Sequence, residues 1–593
     1  MRIKIVVENE INNYLTKQVQ ISPGYYFSQW KLVKRIILFE NKIYPSGRKD
    51  AQGNYKYWFD IITSRIENEV KNVDFDTKNI IFYSDRLQDT TAILISNLAL
   101  TEWMKETNQA EELNDSVEEF SGWGNVVWKK SKERYERIDL KNFYVINQSA
   151  KSLKETPVIE RHILTQSDLR AKKGIWDNEV IDKVIRECGN KEFATTSESE
   201  SESDKENPYY EIFERNGEVS LADLKEAKGE SFTEDEKNEY VLAMITMAGL
   251  KADSKGEKGH ILFAEGIKEM PYREAHRGKY KGRWFRDGLY EILFDIQTRA
   301  NEIGNQIARG LEWASKIVFK TPDSLIVKNI LTDLQSGDIV KTTDLAQVDT
   351  RLRNLDQLIA DWNKLMRQAD DLCHSYEIAE GETMPAGTPF RLGALLNINV
   401  NKFFNFIREK LALGIKAVFQ SWIMPRLIKD LKAKDILRLT GDSEYLKKFY
   451  ELAVEGWYRR NLIMIGPHPP EYALWLKEQK LKEFQKNSNS LAKITKEVFE
   501  DFKPRIKVVI VGESINLAAD METLGNFIGM EADPVRRTAL IEIAMAKKGI
   551  DVSMLPKTPM GGLGVASPVP REREMPLVPK EARLAKEVGE EEI

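Results

Sequence analysis

The chain has 593 residues, with 88 Lys plus Arg against 93 Asp plus Glu, a formal charge of −5 and a sequence pI of about 5.9. That balance argues against a protein that grips nucleic acid through many phosphates, which needs a basic excess or stripe; the 42% apolar and 9% aromatic content excludes a disordered chain. Cys188 and Cys373 stand far apart, which excludes a disulfide framework and a CxxC metal site and fits a reducing compartment.

The longest apolar runs, such as Val241 to Leu250, reach about half the ~20 residues of a bilayer span. The opening Met-Arg-Ile-Lys-Ile-Val-Val-Glu meets acid too soon for the apolar region of a signal peptide. The expectation is a soluble intracellular product without an export or membrane address.

In chain order, the first 120 residues read mainly as helices. Asp85 to Thr107 is the longest, with Leu87, Leu94, Leu98 and Trp103 available for one buried side. Strand composition follows at Val126–Trp128, Tyr135–Ile138, Phe143–Ile146 and Pro157–Leu164, and predicts a small antiparallel sheet. The Ser/Glu tract at 195–207 has like charges and nothing to bury, and predicts a mobile surface loop. Tyr209–Phe213, Tyr240–Met247 and His260–Ala264 add further strand or mixed segments.

A long helix then begins near Asp287, which can cap it. Its apolar positions are Leu289, Leu293, Ile296, Ala300, Ile303, Ile307, Leu311, Ala314 and Val318, about 3.6 residues apart. Thr321-Pro322 stops it, so the rod runs to Lys320 and measures roughly 50 Å. Helical periodicity resumes at Leu352, Leu355, Ile359, Trp362, Met366, Ala369, Cys373 and Tyr376, with the shorter period of helices packed side by side. Cys373 lies on that stripe as a small core residue, and His374 has no partner at ligand spacing. Glu380 to Gly393 holds three Gly and two Pro, which predicts a shaped loop. Phe404, Ile407, Leu411, Ile415, Val418 and Trp422 mark a further long helix that ends or kinks at Pro425. Helical material continues to about Lys503, broken at Gly466–Pro470, and the end of the chain is a Pro/Gly-rich tail.

Catalytic motifs are absent from the sequence. There is no G-x-x-x-x-G-K-[ST], no H-E-x-x-H and no G-x-S-x-G, and Gly562-x-Gly564 lies in the tail rather than after a strand. His162, His260, His276, His374 and His468 fall one per segment, which predicts no ligand set. No catalytic, cofactor-binding or metal residue is therefore assigned, and no cofactor. The sharpest nucleic-acid candidate is the basic, aromatic stretch Arg273, His276, Arg277, Lys279, Lys281, Arg283 and Arg286, interleaved with Tyr272, Tyr280 and Trp284. The competing reading, which the absence of a visible groove favours, is a loop with buried aromatics and solvated or subunit-facing charges.

The stretch Phe285-Arg-Asp-Gly-Leu-Tyr-Glu-Ile-Leu-Phe-Asp-Ile-Gln-Thr-Arg-Ala-Asn301 is similar to the Gly-Leu-x-Glu…Gln…Asn opening of the central helix in portal proteins of tailed double-stranded-DNA bacteriophages. A short excursion, a returning helix, a Pro-Ala-Gly-Thr-Pro loop and another long helix follow in the family's order. The resemblance covers about residues 55 to 430 and runs closest to crAss-like, short-tailed phages.

It implies an α+β, predominantly helical fold: an elongated portal-like subunit with an α/β wing, a long-helix stem, a small clip and a helical crown. Residues 1–284 would form the wing, 285–320 the stem helix, 321–350 the clip and 351–380 the returning stem helix. Residues 381–430 would supply a loop and long helix, with Met384–Gly393 facing the channel, 431–525 the crown and 526–593 the tail. The family further implies a non-enzymatic homododecameric ring at one capsid vertex of the virion, built in the host cytoplasm. Its partners would be the major capsid protein, the terminase motor, head–tail adaptor and tail proteins, and double-stranded DNA passing through the channel, with no membrane. A slightly acidic subunit suits a conduit that must not retain phosphates. The rival readings are another head–tail connector or structural hub, and a divergent nucleic-acid-processing enzyme.

Overall fold

The computed structural model describes residues 2–50, 53–75, 77–84, 86, 89–132, 134–188, 209–249, 259–315, 319–320, 346–347, 354–375, 390–430, 443–466, 469–486, 499, 502 and 504–508. All belong to the first of two units, Met1–Gly512; the second, Glu513–Ile593, lies outside the described residues. So do the Ser/Glu tract at 195–207, nearly all of the expected clip, and residues 380–389 of the Gly/Pro loop. The chain is a mixed α+β protein, 57% helical and 20% strand, so helix predominates.

The N-terminal part holds α1 (Arg2–Thr16), a hairpin of β1 (Val19–Ser22) and β2 (Tyr25–Phe27), α2 (Gln29–Glu40) and α3 (Ile62–Val73). Ser28 caps α2 by accepting from the Lys31 amide at 3.4 Å, and Val33, Ile36 and Phe39 form its buried face. β3 (Ile80–Tyr83), α4 (Thr90–Glu106) and α5 (Gln109–Trp123) follow. The α4 helix buries Trp103 as expected but not the leucine line, of which Leu87 lies outside the described residues. Leu94 and Leu98 are half-buried, while Ala92, Ile95, Ser96, Ala99, Leu100, Trp103 and Met104 are covered. The helix spans two apolar clusters, Ala92 and Ile95 in one and Leu100 to Met104 in the other, so its packed face is rotated from the leucine line.

The expected small sheet divides into two. β4 (Asn125–Lys130) and β5 (Tyr135–Arg137) join one sheet; β6 (Phe143–Val145) and β7 (Val158–Leu164) enter another. A 3-10 turn at Leu140–Asn142, capped by the Asp139 carboxylate accepting from Lys141 N at 3.0 Å, ends the first ladder and redirects the chain. The helices α6 (Gln166–Ala171) and α7 (Asn178–Glu187) precede β8 (Tyr210–Ser220), α8 (Leu221–Lys228), β9 (Tyr240–Ala248), β10 (His260–Gly266) and β11 (Tyr272–His276). The larger sheet runs β10-β9-β8-β7-β6, antiparallel throughout, and the smaller runs β11-β4-β5. Ile3, Val7 and Ile11 of α1 pack on Phe213, Val219 and Ile245 of the larger sheet.

The long helix α9 (Leu289–Ala314) has 26 residues, about 39 Å at 1.5 Å per residue. It stops short of Lys320, because Phe319 and Lys320 form β12 (Phe319–Lys320) and pair antiparallel with β13 (Ala346–Gln347). The returning helix α10 (Leu355–Cys373) packs on α9, with Cys373 fully buried as its stripe predicts. The next helix, α11 (Phe390–Val418), already includes Phe390–Gly393, so those residues do not belong to the shaped loop. All six expected apolar positions from Phe404 to Trp422 are buried. A π-helical turn at Phe419–Ile423 leads into α12 (Met424–Asp430), placing an irregular turn just before Pro425, which cannot donate a backbone hydrogen bond.

Among the described residues, one helical stretch, Lys402–Lys429, is long and apolar enough to cross a membrane by length and composition. Its buried residues fill the second core, as those of a core helix do. The chain continues through α13 (Ser443–Ile465) and α14 (Pro470–Lys486), then ends its described part in β14 (Arg505–Val508). The last element corrects an all-helical expectation for 431–525: β14 pairs with β3, Ile506 opposite Phe82, because both supply alternating buried residues to one cluster.

Two main cores result. Phe39, Phe143, Trp284, Leu289, Leu293 and Cys373 centre the first; Phe82, Phe120, Trp128, Leu411, Phe419 and Ile506 centre the second. Between them the backbones of Gly124 and Gly288 nearly touch. A Cβ on Gly288 would lie 2.3 Å from the Trp123 carbonyl carbon and 2.4 Å from Gly124 N. We therefore expect Gly288→Ala to destabilise the fold by about 3 kcal/mol or more in denaturant melts, since only backbone atoms could give way. Gly266→Ala, whose Cβ would meet nothing closer than 3.8 Å, should be close to neutral in the same measurement.

Candidate functional site

The residues that carry the portal resemblance and the basic stretch before them form one continuous site, from β11 through the head of α9. Asn125 organises its entry. Its Oδ1 accepts from Arg286 N at 3.0 Å and its Nδ2 donates to Trp123 O and Arg286 O, both at 3.1 Å. The Arg277 amide adds a bond to Gly124 O at 2.9 Å. Gly124 holds φ at +80°, a conformation that favours glycine, and this lets the loop lie against the start of α9.

The cations of the stretch are mostly committed. Arg277 grips Glu69 of α3 through Nε–Oε1 at 2.6 Å and Nη2–Oε2 at 2.8 Å, with side chains 6% and 1% exposed. Burial pulls the Arg277 guanidinium down and Glu69 outweighs it, so its pKa is raised. Arg283 bonds Asp287 and both oxygens of Glu291, at 2.8 and 2.9 Å, and lies over the Phe27 ring. Lys281 pairs with Asp287, so the expected cap residue is engaged by two cations at the helix head. Arg273 reaches Glu269 and covers Trp422; Arg286 donates to Lys151 O at 3.2 Å and lies over Tyr280. His276 sits between Asn125 and Glu274, and burial lowers its pKa. Lys279, exposed, has no partner among the described residues.

The aromatics are equally occupied. Trp284 is fully buried and donates to Glu274, Tyr272 is 2% exposed, and Tyr280 donates to Ser149 O at 2.7 Å. The stretch is thus a packed joint, without stacking platforms or a row of unpaired cations for phosphates.

Beyond the joint, α9 carries an amide ladder. Gln297 Oε1 accepts from Ile61 N at 3.0 Å, Asn301 Oδ1 from Phe59 N at 2.8 Å and Asn305 Oδ1 from Tyr57 N at 2.8 Å. Gln297 and Asn305 return bonds to Phe59 O and Tyr57 O. Four helical residues advance about 6.0 Å and two extended residues about 6.6 Å, so one helix face can serve the segment 57–61 as a neighbouring strand would. Gly304 permits this approach: a Cβ there would fall 2.4 Å from the Phe59 ring. The Gln…Asn spacing of the motif therefore has a direct physical use.

One arrangement escaped the sequence reading. His162 is not isolated: its ring meets Glu160 and Glu214, the three side chains offering ligand atoms within 4.8 Å of one another. Glu160 and His162 share a face of β7 by period two, which the sequence displays; Glu214 stands directly opposite Glu160 in β8, which it does not. Such a His/carboxylate set could hold a divalent cation. Here the Lys129 ammonium lies between the carboxylates, 2.6 Å from Glu160 Oε2 and 2.7 Å from Glu214 Oε2. It offsets the repulsion of facing like charges. Burial raises the Glu214 carboxyl, but His162 and Lys129 outweigh it and hold the group well below its usual range.

Comparison with models of known families and with curated proteins yields no match. What the site can do rests on its geometry: it contains no nucleophile activated by a neighbouring base, and it holds the root of α9 rigidly.

Arg277→Met leaves Glu69 buried and unpaired, and should cost about 3–5 kcal/mol in chemical denaturation. Adding Glu69→Met should restore at least half of that loss. The Lys129 cluster has a pH signature. Because Glu214 is depressed in the fold, its stabilisation is complete above the unfolded carboxylate range, about pH 4.3, and is lost on acidification. In Lys129→Met the facing carboxylates lose their shared cation while His162 stays beside Glu214, so that stabilisation should shrink. Thermal melts of that variant should show a smaller gain between pH 4 and pH 7.5 than those of the wild type.

Proposed function

We propose that this chain is the subunit of a portal, a ring-shaped head–tail connector at one capsid vertex through which a double-stranded DNA genome is packaged and ejected. The observation that carries the reading is the unit from α9 to α10. A long helix, an antiparallel ladder of β12 with β13, and a returning helix packed on the first have the order of a stem with a clip between its arms. Residues 321–350, with β13 inside them, would form that clip, and α13 and α14 would belong to the crown.

The apolar stripe of α9 supports assembly. Leu289, Leu293, Ile296, Ala300 and Ile303 are buried within the subunit, but Leu311 is 52% exposed, and Ile359 at the start of α10 is 43% exposed. A helix pair that leaves its apolar residues in water at the far end is suited to burial against neighbouring copies. The neutralised cations of the joint suit a wall that conducts DNA without retaining it. On this reading the protein is a passive component of the virion, assembled in the host cytoplasm. The motor, capsid protein and tail adaptors meet it at different levels of a ring expected to hold twelve copies.

Negative-stain microscopy of purified protein should show rings with a central hole. Leu311→Asp with Ile359→Asp should yield folded protein, with unchanged circular dichroism, that no longer forms rings. Monomeric wild type at high concentration, rings from the double variant, or a nuclease or ATPase activity that follows the protein through purification would each overturn the proposal.

A further inference from the structure

The near-even charge of the whole chain conceals a local excess. Residues 17–57 carry eight Lys and Arg against Glu40 and Asp50, a local +6 in a chain whose total is −5. All of these cations except Lys56 are exposed.

The helix α2 sorts its charges by face. Lys31, Lys34 and Arg35 stand at i, i+3 and i+4 on the outer side, while Val33, Ile36 and Phe39 turn to the core. Glu40 falls on the opposite side from Lys31 at the helical period and pairs with Lys141 at 2.8 Å. Asp50 is engaged by Arg309 at 2.6 Å. Arg35 meets Asp295 at 3.1 Å and Lys42 meets Asp60 at 2.6 Å, with both cations about half exposed, where such pairs hold weakly. Lys17, Lys31, Lys34, Arg48 and Lys49 have no carboxylate partner among the described residues.

Aromatic rings flank the cations at both ends. Tyr25 and Tyr26, at the head of β2, and Tyr55 and Tyr57, in the segment that leads to α3, are between 62% and 72% exposed. Arg35 borders one hollow with Tyr26 and Lys31 and another with Ser46 and Lys56, so hairpin, helix and loop share one surface. The helix alone gives that surface a length of about 18 Å. The joint at the head of α9 answers its cations with carboxylates and buries its aromatics; here most cations are unanswered and the rings stand in water.

We propose that this surface binds single-stranded nucleic acid, its cations meeting phosphates and its tyrosines stacking on bases. A duplex keeps its bases stacked inside and leaves the tyrosines unused, and an acidic peptide offers charge without a run of flat rings. The surface belongs to a single subunit, so the interaction does not require ring formation and stands apart from the portal reading.

Fluorescence anisotropy of the full-length protein tests it, with a labelled oligothymidylate as probe and a duplex and an abasic phosphodiester strand of equal length as controls. The oligothymidylate should bind, and each control should bind about tenfold more weakly, as loss of base stacking requires. Its log affinity should fall with log salt at a slope of about −3.5, as about five phosphate contacts on a single strand require. Lys31→Gln with Lys34→Gln should weaken binding about tenfold and flatten that slope by about 1.4. Tyr25→Ala with Tyr26→Ala should weaken binding by about the same factor and leave the slope unchanged. Both variants alter exposed side chains, so their thermal melts should match the wild type's. No binding at low salt, equal or tighter binding of either control, undiminished binding by either variant, or full competition by polyglutamate would overturn the proposal. Should a variant melt early, the ranking of the three ligands by the wild type still decides.

Discussion

The ion pair of Glu69 with Arg277 is the fastening on which the long helices depend. Two charges with almost no solvent contact are costly to bury, and only a close bidentate geometry offsets that cost. The pair sits in a polar stripe along one side of α3. Arg65 reaches Asp370 at 2.6 Å, Asn68 donates to Ser375 at 2.8 Å, and the Asn72 carbonyl accepts from Arg408 at 2.6 Å. One helix of twelve residues thereby holds the approach to α9, the end of α10 and the flank of α11. Polar contacts set direction where apolar packing alone would tolerate sliding.

The root of α9 shows the same economy. Two glycines let backbone meet backbone, and the amide ladder then satisfies a segment that has no strand beside it. Buried main-chain groups must find partners, and here a helix surface supplies them. The basic stretch belongs to this joint. Its charges answer Glu69, Glu269, Asp287 and Glu291, so its local density measures how much chain must be pinned there.

Much of this was legible from periodicity. The α9 and α11 stripes are single-faced, so Leu289 to Ile303 and Phe404 to Trp422 fall inside as their spacing requires. The α4 helix misled because it carries apolar residues toward two clusters, and a leucine count cannot tell which line faces in. The strands were visible by composition, but their division between sheets depends on pairing across long loops. The same holds for the site. The four-residue spacing of Gln297, Asn301 and Asn305 is plain in the sequence, whereas their partner, some 240 residues earlier, is not. Glu160 and His162 show their shared face; the meeting with Glu214 and Lys129 is a property of sheet register alone.

The pairing of β14 with β3 sets a clock on folding. β3 presents one edge to Arg505–Val508, a segment made about 420 residues later. At a synthesis rate of ~5–20 residues per second, that edge waits roughly 20–85 s for its partner. Through that interval the second core lacks Ile506, and the chain cannot close around it. The larger sheet, whose strands come from nearby sequence, has no such delay. Closure of the second core is therefore reported by β14, the last strand among the described residues, and a nascent chain cut short of residue 505 carries an open seam along β3.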